Sequence, residues 1–162
     1  MEEIFIYWYK KTALWSSIRL QDEDNPVIEC LDENFTIRDF SEKAERHIEE
    51  DCKLFLKYAG KIIKSDVAQA GCDFWLTRNR HGVGFWDGDW KTYGKLLTNW
   101  SHKFPELNII ENERGDLEFF EYPQDYVRTG RPVADLIRFN LERSGCKPEE
   151  LDAEVEKRVH YL

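Results

Sequence analysis

The densest run of chemically capable side chains lies at residues 70–90, AGCDFWLTRNRHGVGFWDGDW. It holds the carboxylates Asp73, Asp87 and Asp89, the guanidinium groups Arg78 and Arg80, the amide Asn79 and the imidazole His81. A histidine beside a carboxylate can do general acid–base work. Three carboxylates can hold a hard divalent cation, Mg²⁺ or Ca²⁺, through oxygen. Such an ion would activate water for hydrolysis. Arg78, Asn79, Arg80 and His81 together offer a basic contact for phosphate, carboxylate or an acidic partner. Each group also has a plainer reading. Asp89 suits a helix N-cap. Asp73 and Asp87 suit strand-end or turn hydrogen bonding. Residues 78–82 suit a solvated turn. The aromatics Phe74, Trp75, Phe85, Trp86 and Trp90 suit a core rather than a base-stacking platform.

The elements that would position these groups read as a hairpin. Residues 73–78 form one strand, 79–82 the turn and 83–86 the returning strand. Phe74, Trp75 and Leu76 put apolar groups on both faces, as do Phe85 and Trp86, so the hairpin is expected to be covered on both sides. Gly82 and Gly84 fit positions needing positive φ or close backbone approach. The GxG is not a dinucleotide fingerprint, because it lacks the third glycine and the strand-then-helix setting. With Arg80 and His81 at the tip, Asp73 stands opposite Gly88 at the base, some seven residues and therefore roughly 23 Å from the tip at about 3.3 Å per residue. Asp73 and His81 then share no proton. The base of the hairpin gathers Asp73, Asp87 and Asp89, the candidate metal ligands. Asp87-Gly88-Asp89 opens no EF-hand loop, since the twelfth position is Thr98 rather than Glu. His47, His102 and His160 are isolated and read as structural or surface residues.

Elsewhere the pattern is mixed. Residues 4–17 combine strand-like composition with a helical spacing at Ile4, Trp8, Thr12 and Trp15; helix is the preferred reading. Residues 21–34 read as an acidic loop around Asn25-Pro26. Residues 41–63 are the clearest helix, with Ser41 as its cap and Ala44, Ile48, Cys52, Phe55, Ala59 and Ile62 as a buried stripe. Asp89 would cap a further helix whose stripe is Trp90, Tyr93, Leu97, Trp100 and Phe104. Residues 107–111 and 117–121 read as a second hairpin around the turn 112–115. Two amphipathic helices follow, at 132–143 and 148–159; Pro132 suits a first turn and Gly145 a helix end. The expected order is α-α-β-β-α-β-β-α-α. The fold class is α+β: antiparallel hairpins packed with helices in a single domain at 1–121, then a C-terminal helical extension at 122–162.

Composition narrows the function classes. The chain has 162 residues, 41% of them apolar and 14% aromatic, enough for one domain with a real core. No signal peptide is recognised, and no run approaches the ~20 apolar residues of a membrane span. No membrane contact is expected, and the cytoplasm is the expected compartment. Cys30, Cys52, Cys72 and Cys146 form no C-x-x-C pair, so neither a zinc site nor a redox motif is indicated, and free buried thiols are expected. The net charge is −9, divided as −4 over residues 1–64, +1 over 65–104 and −6 over 105–162. Acidic ends without a basic cluster disfavour direct nucleic-acid binding and suit contact with a basic protein surface.

The 70–90 segment, with Ala13-Leu14-Trp15-Ser16-Ser17 upstream, resembles a family of small uncharacterised phage and prophage proteins. Their hallmark is a stretch similar to AGHDFWLTRNGHGVGFWD. The match runs from Asp73 to Asn79 and from His81 to Asp87, and the resemblance spans roughly residues 13–120. Cys72 stands where the family tends to have His, and Arg80 where it tends to have Gly. The resemblance brings no established activity with it. It implies a phage or mobile-element protein acting in the host cell by binding a host or phage protein, with inhibition of a defence or nucleic-acid enzyme as one outcome. The rival readings are a metal-assisted hydrolase using Asp73, Asp87 and Asp89, and a structural or assembly protein. Beyond that divalent ion no cofactor is implied, and the oligomeric state stays open.

Overall fold

The structure is a computed structural model and describes residues 1–20 and 28–119. The order is α1 (Glu2–Ser16), β1 (Ile18–Leu20), β2 (Ile28–Cys30), α2 (Glu42–Ala59), α3 (Val67–Arg78), α4 (Gly94–Ser101), β3 (Ile109–Glu111) and β4 (Leu117–Phe119). Single 3₁₀ turns lie at Leu31–Glu33, Ile63–Ser65 and Lys91–Tyr93. The strands form two separate two-stranded antiparallel sheets, β1 with β2 and β3 with β4. The architecture is α+β, as the sequence indicates. The helices expected at 132–143 and 148–159, and the domain boundary at 121, lie outside the described residues.

α2 carries the signals that announce it. Ser41 Oγ accepts the Ala44 amide at 3.2 Å, closing the first turn, and Glu42 and Glu45 sit at the positive end of the helix. Its buried face holds Ala44, Ile48, Cys52, Phe55 and Ala59, with Asp51 and Tyr58 added. The second hairpin also forms where expected. Asn112 Oδ1 accepts from the Arg114 and Asp116 amides, which ties its turn. Backbone bonds from Ser41 to Leu117 and from Leu117 to Asp39 fasten it beside the start of α2.

The first hairpin does not exist. Residues 73–78 belong to α3, and 83–86 form no strand. Apolar groups on both faces describe a doubly covered strand, but they equally describe a helix buried all round. Length decides between them. The helix begins earlier, at Val67, where the preceding Asp66 caps it by accepting the Gln69 amide on Oδ1 at 2.9 Å, an N-cap that the strand reading overlooks. α3 is the central element: Ala70, Gly71, Phe74, Trp75, Leu76, Thr77 and Arg78 are all buried. α1 lies along it at Gly71, where a Cβ would stand 2.4 Å from the Phe5 carbonyl oxygen. Only glycine allows that approach. Around Phe74 the core is aromatic. Phe55 stacks on it at 4.2 Å between centroids, and Phe5, Tyr9 and Phe104 complete the ring of contacts.

Three other expectations change. α1 is a helix, but its stripe points outward: Ile4, Trp8 and Trp15 are 52%, 41% and 48% exposed, while Thr12 is buried. Phe5, Tyr9 and Ala13 supply the buried face instead. Residues 28–33 are a short strand and a 3₁₀ turn rather than loop. Asp89 caps nothing: α4 begins at Gly94 with Tyr93 before it, and neither α4 nor the preceding 3₁₀ turn has a side-chain cap.

Candidate functional site

The first part of the 70–90 segment folds inward, and its polar groups Asp73 and Arg78 are buried. Arg78 is 0% exposed. Its Nη1 donates to Tyr9 Oη and to Asp51 Oδ2, both at 2.9 Å, and its Nε and Nη2 donate to the Pro105 carbonyl at 3.0 and 2.7 Å. The Phe74 and Phe104 rings lie on the guanidinium at 5.6 and 5.5 Å. Burial opposes the charge, but the facing Tyr9 and Asp51 outweigh it and hold Arg78 above its ordinary pKa. The same burial pushes the Tyr9 phenol far up. Arg78 is thus a clamp between α1, α2, α3 and the strand of chain before β3. It is not a tip residue, which corrects its place among the surface binding candidates. Sequence reasoning missed Asp51 and Tyr9. The available signal was Asp51 itself, a carboxylate inside the apolar stripe of α2, which demands an internal cation.

Asn79 is similarly committed. Its Nδ2 donates to the Trp75 carbonyl at 3.0 Å, and its Oδ1 accepts the Leu107 amide at 2.7 Å. Arg80 closes the helix. Its amide donates to Thr77 O and that of His81 to Leu76 O, with φ +59° at Arg80. This is the left-handed cap that glycine favours. The Arg80 side chain stays at the surface, with Nε 3.3 Å from Glu106 Oε1 and Nη1 3.2 Å from His102 Nδ1. Partial burial, then the Arg80 charge, lower the His102 pKa. His81 is half-buried and lines a cavity of about 250 Å³ with Ser17, Asn79, Glu106 and Leu107.

The three carboxylates part company. Asp73 is buried on α3; its oxygens accept Trp90 Nε1 at 2.5 Å and Gln69 Nε2 at 2.9 Å. Burial pushes its carboxyl up to about 6, opposed by the two hydrogen bonds and assisted by the charges of Asp87 and Asp89. Asp87 Oδ2 accepts the Gly84 amide at 3.2 Å, and Asp89 is exposed. Among the described residues no three His, Cys, Asp or Glu side chains are grouped to hold a metal ion. Asp73 and His81 form no pair, though not for the reason of hairpin length: both Asp73 oxygens are engaged elsewhere.

What the segment leaves outside is a loop, residues 79–93, pinned at two points. The Phe85 amide donates to Thr77 Oγ1 at 3.0 Å, and Phe85 and Trp90 are buried. Gly84 permits this, since a Cβ there would lie 2.3 Å from Thr77 Oγ1, and its φ is +150°. Between the pins Trp86 is 42% exposed, with Val83 and Tyr93 also at the surface. Trp86 was expected in the core alongside Trp75 and Phe85. Those two are buried as expected, but Trp86 is not, because the chain reverses at Gly84 and again at Gly88 (φ +119°). No family model, curated protein or solved structure matches the chain.

Proposed function

We propose that the chain is a phage- or prophage-type protein that acts by binding another protein, of host or phage, and so inhibits a host defence or nucleic-acid enzyme. The contact surface is the loop at 79–93. The observation that carries this reading is Trp86, held at the surface between two buried anchors, Phe85 and Trp90. An apolar ring fixed in advance costs little to order on binding, and tryptophan is the residue most enriched at the energetic centres of interfaces. Val83 enlarges the apolar contact, while exposed Asp87 and Asp89 give it an acidic rim. The matching partner has an apolar pocket edged with Lys or Arg. Arg80 and His81 border the same loop, and from the binding set read in the sequence they are retained. Arg78 and Asn79 serve by shaping the loop from beneath.

Capture from a host lysate tests the reading, with wild-type protein beside Trp86→Ala and Val83→Ala variants. A specific partner should be lost from both. Its affinity should fall only modestly up to about 0.5 M salt, because ring burial is not screened, whereas exposed charges are. A steep salt dependence with no effect of Trp86→Ala would move the contact to the acidic surface instead. Tight Mg²⁺ or Ca²⁺ binding abolished by Asp87→Asn would revive the hydrolase reading.

A further inference from the structure

A second apolar surface lies on α1. Its outer face carries Ile4, Trp8, Lys11 and Trp15, at steps of four, three and four. That alternation is the seam of a two-stranded coiled coil. Ile4, Trp8 and Trp15 are exposed and Lys11 is half-buried. Exposed Tyr7 flanks the seam, its ring meeting that of Trp8 edge-on at 5.5 Å, and exposed Ile18 lies just past the helix end. We propose that this face is the docking site for a second copy of the chain, with the two α1 helices packed antiparallel about a two-fold axis between Trp8 and Lys11.

Three observations select this occupant. The first is symmetry. The steps of four, three and four read the same from either end. An antiparallel copy therefore sets Ile4 against the partner's Trp15 and Trp8 against the partner's Lys11, each contact made twice. A two-fold interface requires that self-complementarity. The second is charge. Lys11 is the one charged residue in the seam. In the antiparallel pair its ammonium meets the face of the partner's Trp8 ring, a cation–π contact, and its stem covers apolar surface. A parallel pair would instead set Lys11 against the partner's Lys11 and align the two helix dipoles. One polar residue in the seam thereby fixes the register. The third is area. Tyr7, Trp8 and Trp15, 43%, 41% and 48% exposed, and Ile4 and Ile18, 52% and 57% exposed, offer roughly 500 Å² between them. Two copies then bury about 1,000 Å² in all before any polar neighbour is counted, the size at which a specific interface begins.

The test is sedimentation equilibrium of the full chain up to several hundred micromolar. The mass should rise with concentration from the 19.4 kDa of one chain toward twice that, with a midpoint of about 10–100 µM, as suits an interface at the low end of the size range. Trp8→Asp and Trp15→Asp should each raise the dissociation constant about tenfold or more, because each buries a carboxylate in the seam. Both rings lie at the surface of the single chain, so circular dichroism and melting should stay those of the wild type. Trp86→Asp and Ile110→Asp, at exposed apolar residues on other elements, should leave association unchanged. Lys11→Leu should keep the dimer, and Lys11→Glu should weaken it, since the ring face repels a carboxylate. A chain that stays monomeric throughout that range would overturn the proposal. So would a dimer that both Trp→Asp variants leave intact. Tighter association in an equal mixture of wild type and Lys11→Glu than in wild type alone would also overturn it, as the mark of parallel pairing. Partner capture through Trp86 does not enter this measurement, so either proposal can fail alone.

Discussion

Replacing Arg78 distinguishes a clamp from a contact residue. In Arg78→Met the Tyr9 hydroxyl and the Pro105 carbonyl lose their donors, and Asp51 is left 3% exposed without its facing guanidinium. Removing one partner of a buried pair costs about 3–5 kcal/mol, because the remaining charge keeps its desolvation penalty. A domain with an ordinary reserve of ~5–15 kcal/mol would lose a large share of it. The assay is urea unfolding of the full chain for Arg78→Met, Asp51→Leu and the double variant. Each single change should be severe. The double should be milder than their sum by about 2–3 kcal/mol, since it removes both members of the buried pair at once. If Arg78 were a surface contact, Arg78→Met would shift stability by no more than about 0.5 kcal/mol, and additive single changes would refute the clamp.

Trp75→Ala should cost about 3–5 kcal/mol as a core truncation and Trp86→Ala less than about 0.5; paired thermal melts would show it, and equal losses would contradict the exposed position of Trp86. Arg80→Gly should raise stability by about 1 kcal/mol by relieving a left-handed non-glycine cap, read from the denaturation midpoint. Asp73 has a folded pKa of about 6 against 3.8, so the folded state binds its proton more tightly and its ionisation destabilises the fold. Wild-type stability should therefore fall relative to Asp73→Asn as pH rises from about 4 to about 6, by roughly 3 kcal/mol in all, and parallel curves over that range would refute the shift. Gly71→Ala should destabilise despite alanine's better helix propensity, because its Cβ would force α1 off α3; a raised melting temperature would deny the close approach.

Local signals were legible wherever local energetics decide. The Ser41 cap and the α2 stripe, and the turn at Asn112 to Gly115, could be read directly. The 70–90 segment reads as a hairpin in the sequence and is a helix and a loop in the structure. Its apolar density fits a strand covered on two sides as well as a helix covered on all sides, and only the Asp66 cap separates the two. Because the site reading rests on strand geometry, the grouping of carboxylates at the hairpin base and the place of Arg78 at the tip go with it. The orientation of α1 was beyond the sequence for another reason. Ile4, Trp8 and Trp15 do form a helical stripe, but which side of a helix faces the core depends on its neighbour, and Gly71 on α3 takes the side of Phe5 and Tyr9. Asp51 was the overlooked clue, a charge in an otherwise apolar row.

The central claim is that the segment folds Asp73 and Arg78 inward and presents Trp86 outward as the binding contact. The most direct test is the affinity of a captured partner for wild-type protein, Trp86→Ala and Arg80→Ala, measured side by side with their unfolding curves. The account predicts that Trp86→Ala lowers affinity at least tenfold while its unfolding curve overlays that of the wild type. Unchanged affinity for Trp86→Ala, in a protein that still folds, would contradict it.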